Sequence, residues 1–199
     1  VRRLKAAGIQ ERHLQDWTFT TATDTPSIQM AKRYVENWKK VKAENLGLLL
    51  WGDVGTGKSF LAACIANALL EKGIPVLMTN FSKILNQMGA MYSDERYRYI
   101  ASFNRFSLLI IDDLGIERNT EYALEQVYAV VDERYKAGLP LIITTNLTIS
   151  QIRNPEDVGH ARIYSRLLEM CTPVHVPGHD RRTTIGKSKQ ELVKEVLFS

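Results

Sequence analysis

The stretch GDVGTGKSF at residues 52–60 decides the fold, because it lies between the apolar run LGLLLW and the apolar-rich segment LAACIANALLEKG. Its spacing is G-x-x-x-x-G-K-S, with Gly52, Gly57, Lys58 and Ser59 at the fixed positions. In a loop of this kind, backbone N–H groups turn inward around phosphate oxygens, and glycines let the chain close on the ligand. Asp53, Val54, Gly55 and Thr56 fill the loop, and Phe60 follows it into the helix. Lys58 is placed to reach the outer phosphates and is expected to face solvent otherwise. Ser59 is placed to ligate Mg²⁺, and the helix N-terminus aims its positive dipole end at the same anion. The expected guest is a nucleoside triphosphate. A second GKS, at residues 186–188, is a chance match: the position five before Gly186 is Arg181, and no apolar strand precedes it.

A chain of 199 residues suits one compact domain with a short appendage. Apolar residues at 45% and charged residues at 24% are ordinary for a globular protein, and no apolar run approaches the roughly 18 residues of a membrane span. Cys64 and Cys171 lie far apart, and the four histidines form no ligand pattern with them, so neither a disulfide framework nor a zinc site is indicated. A reducing, cytoplasmic setting fits that usage. The net charge of +4 is compatible with a nucleic-acid partner without demanding one. The chain begins at Val1, and its first residues carry no apolar signal core, as expected of a piece of a longer protein.

Residues 1–25 read as a polar, irregular lead-in. SIQMAKRYVENWKKV then places Ile28, Ala31, Tyr34, Val35 and Trp38 at the spacing of a single amphipathic helix. LGLLLW reads as a buried strand, residues 58–72 as a helix stopped by Gly73, and PVLMTNF as the next strand. Residues 82–106 read as two short helices, followed by the strand SLLIID, a long helix over about residues 119–137, the strand PLIITTN, the helix HARIYSRLLEM and a last short strand, TPVHVP. Strands alternating with helices predict a mostly parallel sheet covered on both faces. The expected division is a lead-in over residues 1–25, the nucleotide-binding domain over 26–182, and a basic tail over 183–199 with a terminal helix.

In LLIIDDLG, an apolar run delivers Asp112 and Asp113 to the carboxyl end of a strand, where ligands of open α/β sheets bind. The first acid is expected to hold Mg²⁺ and the second to orient or deprotonate an attacking water. PLIITTN brings Thr144, Thr145 and Asn146 to the same edge, where a polar side chain can hydrogen-bond that water or the terminal phosphate. Arg162 and Arg166, four apart, share one helical face, which matters catalytically where a neighbouring subunit needs an arginine at a transferred phosphoryl group.

LLLWGDVGTGKSFLA, LLIIDDLG, ITTN, RIYSRL and GHDRR, in that order and separation, resemble the AAA+ ATPases of the DnaC/IstB type. That group joins bacterial and phage helicase loaders with ATPase helpers of certain transposases. The similarity covers roughly residues 8–182 and includes GIQERHLQDWTF near the start. It implies an α/β, three-layer P-loop NTPase with a five-stranded parallel sheet, ATP sites at subunit interfaces, and action as a homo-oligomer on DNA. It also implies Asn146 as sensor 1, Arg166 as an arginine finger with Arg162 in reserve, and Arg182 as a sensor 2-like contact. Many AAA+ proteins carry Glu where Asp113 stands, and the shorter carboxylate suits a slow switch. Seventeen residues follow Arg182, too few for a full helical lid.

The stretch 82–106 sits where initiator and loader ATPases carry extra helices. Lys83, Arg96, Tyr97, Arg98 and Arg105 give it the composition of a single-strand binding surface, charge for the backbone and rings for stacking, although Tyr97 and Tyr99 could instead pack on the sheet. The resulting expectation is an ATPase that loads a replicative DNA helicase and contacts single-stranded DNA. The rivals are a transposase helper and a nucleotide-switched scaffold with little hydrolysis.

Overall fold

The computed structural model describes residues 8–9, 11–115 and 120–178, together with Val193, Val196 and Leu197. Arg182, the second GKS and most of the basic tail lie outside the described residues. The elements are α1 (Arg12–Gln15), α2 (Pro26–Glu36), α3 (Trp38–Ala43), β1 (Gly47–Trp51), α4 (Lys58–Glu71), β2 (Val76–Asn80), α5 (Phe81–Met88), α6 (Ser93–Ala101), β3 (Leu108–Leu114), α7 (Glu121–Lys136), β4 (Leu141–Thr145), α8 (Ile149–Arg153), α9 (Val158–Met170) and β5 (Cys171–His175).

The strands form one five-stranded sheet in the order β2-β3-β4-β1-β5, with every pairing parallel. Parallel strands with helical crossovers are buried on both faces, which is why they read as unbroken apolar runs. In β1, Leu48 and Leu50 join Ile110 of β3, Ile142 of β4, and α2 and α4 in one core, while Leu49 joins Leu109, Ile111, Ile143, α5, α7 and α9 in the other. The result is a three-layer α/β architecture, with helices packed on both faces of one parallel sheet.

Two local readings are corrected and one element is added. The lead-in is not irregular: fully buried Ile9 makes a parallel bridge to Met78, adding a partner outside β2, and Leu14 is buried. The buried side chain of Asn67 on α4 pins this segment, its Nδ2 donating to the carbonyls of Leu14 at 2.8 Å and Trp17 at 2.9 Å. The expected single helix over 27–41 breaks at Asn37, whose Nδ2 donates to the Arg33 carbonyl at 2.8 Å while its backbone leaves the helical region. α8 lies between PLIITTN and HARIYSRLLEM, where the sequence reading placed no element, and Thr148 and Gln151 form a capping box there.

Arg134 on α7 looks like an ordinary solvent-facing charge, yet it is 1% exposed. Its guanidinium donates to the carbonyls of Phe103, Phe106, Ser107 and Pro140, tying together the chain segments that lead into β3 and β4. Burial lowers its pKa to about 10, so it stays charged at neutral pH. Both cysteines are free and buried. No described helix is long and apolar enough to cross a membrane.

Candidate functional site

The loop between β1 and α4 closes through three glycines with positive φ, Gly52, Gly55 and Gly57. Gly52 combines φ +148° with a close approach: a Cβ there would meet the Val176 carbonyl oxygen at 2.7 Å. That carbonyl belongs to the strand end after β5, whose Val176 N–H bonds the Trp51 carbonyl, so residues 176–178 brace the loop from outside. Gly57, at φ +97°, has nothing within 4 Å of the position its Cβ would take, which leaves open space above the N-terminus of α4. Thr56 folds the loop on itself by donating to the Asp53 carbonyl at 3.0 Å, while Asp53 and Val54 are exposed at its tip.

Lys58 does not face solvent as expected. It is 5% exposed, and its ammonium donates to the carbonyls of Gly52 at 2.9 Å and Asp53 at 2.7 Å. A desolvated ammonium requires acceptors, and the loop's own carbonyls supply them. Phosphate oxygens are the stronger acceptors for such a group.

Ser59, one residue on, stands across the sheet edge from Asp112, close enough for its hydroxyl to favour the ionised carboxylate. Asp112 accepts from the Thr144 hydroxyl at 2.6 Å. Burial raises the pKa of Asp112, the Thr144 bond lowers it, and the neighbouring charge of Asp113 raises it again, with a net upward shift. Asp113 follows in a left-handed conformation, φ +58°, at a slip in the β3–β4 register between Ile111 and Leu114. Of the three polar residues of TTN, Thr144 and Thr145 are fully buried. Thr145 donates to the Leu114 carbonyl at 2.8 Å, and only Asn146 of the three is exposed.

The donor set fits Mg²⁺. A Ser hydroxyl and one carboxylate are hard oxygen ligands, and Mg²⁺ bound with a nucleotide takes one or two protein oxygens beside phosphates and water. No cluster of three or more His, Cys, Asp or Glu suited to a metal occurs among the described residues.

A cleft absent from the sequence reading adjoins the loop. Thr56, Gly57 and Phe60 form one wall, Thr23, Ile28 and Met30 a second, and the segment from Val174 to Pro177 a third. Its signal in the sequence was faint: threonines before a helix read equally well as caps. The ring of Phe60 lies 5.6 Å from that of Trp17, so the lead-in also buttresses the loop helix.

The arginines of α9 lie in the layer opposite α4. Arg166 donates through Nε to Asp132 of α7 at 2.8 Å, and its guanidinium sits over the Tyr128 ring. Arg162 is exposed and lines a second cleft with Glu121, Glu125, Tyr128 and Asp157. The expected DNA-contacting residues divide. Tyr97 is 70% exposed and Arg98 is exposed, whereas Tyr99 packs its ring on Phe103 at 4.9 Å. Arg96 is drawn inward, bonding the Met91 carbonyl at 3.0 Å and lying over Tyr122. Lys83 pairs with Glu11, and Arg105 lies over Phe106.

The profile of the family described as IstB-like ATP binding protein matches residues 2–189. The chain is 28% identical over 147 residues to the replicative helicase loader DnaI of Bacillus subtilis, covering 68% of this chain and 47% of that protein. It is 24% identical over 147 residues to an ATP-binding protein in an insertion sequence of Mycobacterium tuberculosis, covering 73% of this chain and 57% of that one. The chain thus spans about half the length of these curated relatives. A crystal structure of DnaI shares the fold with a TM-score of 0.70 at 22% identity, over 90% of this chain and all of that one. Because the profile match runs over almost the whole sequence and includes the phosphate loop and the paired aspartates, the chain belongs to the IstB-like ATP binding proteins, within the AAA+ ATPases of the DnaC/IstB type.

Proposed function

We propose that the chain is the ATP-hydrolysing unit of a helicase loader that contacts single-stranded DNA, with nucleotide turnover timing release of its partner. The observation that carries the ATPase part is the meeting of Lys58, Ser59, Asp112 and Asp113 at one edge of the sheet, with the cleft beside Thr56 and Gly57 available to the base and ribose. On phosphate engagement, Lys58 exchanges the carbonyls of Gly52 and Asp53 for phosphate oxygens. Ser59 and Asp112 would hold Mg²⁺, which would supply neutralisation of phosphate charge. Asp113 orients the attacking water and accepts its proton, and Asn146, exposed at the same edge, is available to hydrogen-bond that water or the terminal phosphate.

Similarity to DnaI supports the loader reading. The exposed Tyr97 and Arg98 on α6 support the DNA contact, by stacking and by phosphate pairing. Arg166 serves as the finger toward a neighbouring subunit's ATP in a homo-oligomer, with Arg162 beside it. A second reading, helper of a transposase, is favoured by the insertion-sequence relative. Capture experiments with the ATP-bound chain separate the two: retention of the replicative helicase of the source cell supports the loader, and retention of a transposase supports the helper.

A further inference from the structure

We infer that Thr144 is a positioning residue that locks the two carboxylates of the site to one another, an inference that rests on the ATPase reading of that site. Its fully buried hydroxyl is used twice, donating to Asp112 Oδ1 at 2.6 Å and accepting from the Asp113 backbone N–H at 2.9 Å. Asp113 needs such a partner. It stands where the β3–β4 register slips, in a left-handed conformation shared among the described non-glycine residues only with Asn45. A residue carrying a Cβ adopts that conformation at a cost and persists there when its surroundings over-determine it.

The geometry makes one oxygen control both acids. Ile142 and Ile110 face the core that contains α4, so the two-residue period of their strands turns Thr144 and Asp112 to the same side, where Ser59 lies. The donated bond fixes the Asp112 carboxylate toward Ser59, and the accepted bond fixes the backbone that carries Asp113. Thr145 closes the far end of the slip by donating to the Leu114 carbonyl. Valine has nearly the shape of threonine and would fill the same space, so packing alone does not call for the oxygen.

Thr144→Ser and Thr144→Ala differ by that one atom and lack the same methyl group, so comparing them isolates the hydroxyl. The readouts are binding of a fluorescent ATP analogue in EDTA, the Mg²⁺ concentration needed to tighten that binding, and steady-state phosphate release. Thr144→Ser is expected to stay within about threefold of wild type in all three. Thr144→Ala should bind nucleotide normally in EDTA, require roughly tenfold more Mg²⁺, and lose on the order of 10²-fold in kcat with little change in KM. Equal behaviour of the Ala and Ser variants in Mg²⁺ requirement overturns the inference, even where wild type hydrolyses ATP normally. If wild type releases no phosphate but the Mg²⁺ requirement still separates the two variants, the lock stands and the ATPase reading falls.

Discussion

Arg166 donates through Nε to Asp132 Oδ1 at 2.8 Å, and its guanidinium lies 4.7 Å from the centroid of the Tyr128 ring. The arginine proposed to serve a neighbour's ATP is thus held against α7 of its own chain, and subunit docking must draw it away. Arg166→Ala is expected to bind ATP but hydrolyse it poorly, with a loss approaching the ~10³-fold associated with arginine fingers. Mixing it with a Lys58→Ala variant creates interfaces where one composite site is intact, so part of the activity should return. Mixed oligomers that stay inactive would reassign the role, with Arg162 next in line.

The same ion pair predicts a pH dependence. Bonds from Lys136, and then from Arg166, outweigh burial and hold the Asp132 carboxyl below its ordinary range. A carboxylate with a depressed folded pKa contributes stability above its unfolded value and loses it as pH falls through the folded one. Asp132→Asn should therefore cost less than about 1 kcal/mol at pH 7, as partly exposed ion pairs do. The gap between variant and wild type should close below about pH 4 in urea titrations.

Lys58→Ala is expected to abolish ATP binding and also to lower stability by about 1–2 kcal/mol, because its two bonds to the loop carbonyls are removed. Equilibrium unfolding checks the second effect, which a solvent-facing lysine would not show.

Gly52→Ala and Gly57→Ala separate fold from binding. At Gly52, a Cβ meets backbone, so the variant should lose roughly 2–3 kcal/mol or fail to fold. At Gly57 the Cβ meets nothing, and the positive φ alone should cost about 1–2 kcal/mol, while the methyl group intrudes on the phosphate space and abolishes nucleotide binding. Denaturation midpoints and nucleotide titration distinguish the two.

The phosphate loop and the aspartate pair were legible because each is fixed in spacing against an unbroken apolar strand, a pattern produced by burial on both sheet faces. Ile9 was not legible: a single apolar residue in a polar segment shows no period, although it is wholly buried beside β2. Nor was the role of Thr144, since Thr144, Thr145 and Asn146 look alike in sequence and are sorted only by the register slip opposite them. The roles of Arg134 and Asn37 were hidden for one reason. Side chains that usually meet water instead satisfy backbone carbonyls here, and such bonds leave no periodic trace.

On α6, Arg98→Glu is expected to weaken binding to single-stranded DNA and to flatten its salt dependence by about 0.7 in slope for each phosphate no longer neutralised. Arg96→Glu should chiefly destabilise α6, because Arg96 bonds the Met91 carbonyl and lies over the Tyr122 ring. An unchanged slope for Arg98→Glu returns this helix to the role of structural cover.

Whether this sheet edge hydrolyses ATP is decided by phosphate release from Mg²⁺-ATP, compared between wild type and Asp113→Asn with and without single-stranded DNA. Wild type is expected to release phosphate slowly, at a rate that DNA changes, and Asp113→Asn to fall by on the order of 10²-fold with ATP affinity kept. Release that is no faster in wild type than in Asp113→Asn under every condition, with ATP bound equally by both, would contradict hydrolysis here and leave a nucleotide-switched scaffold.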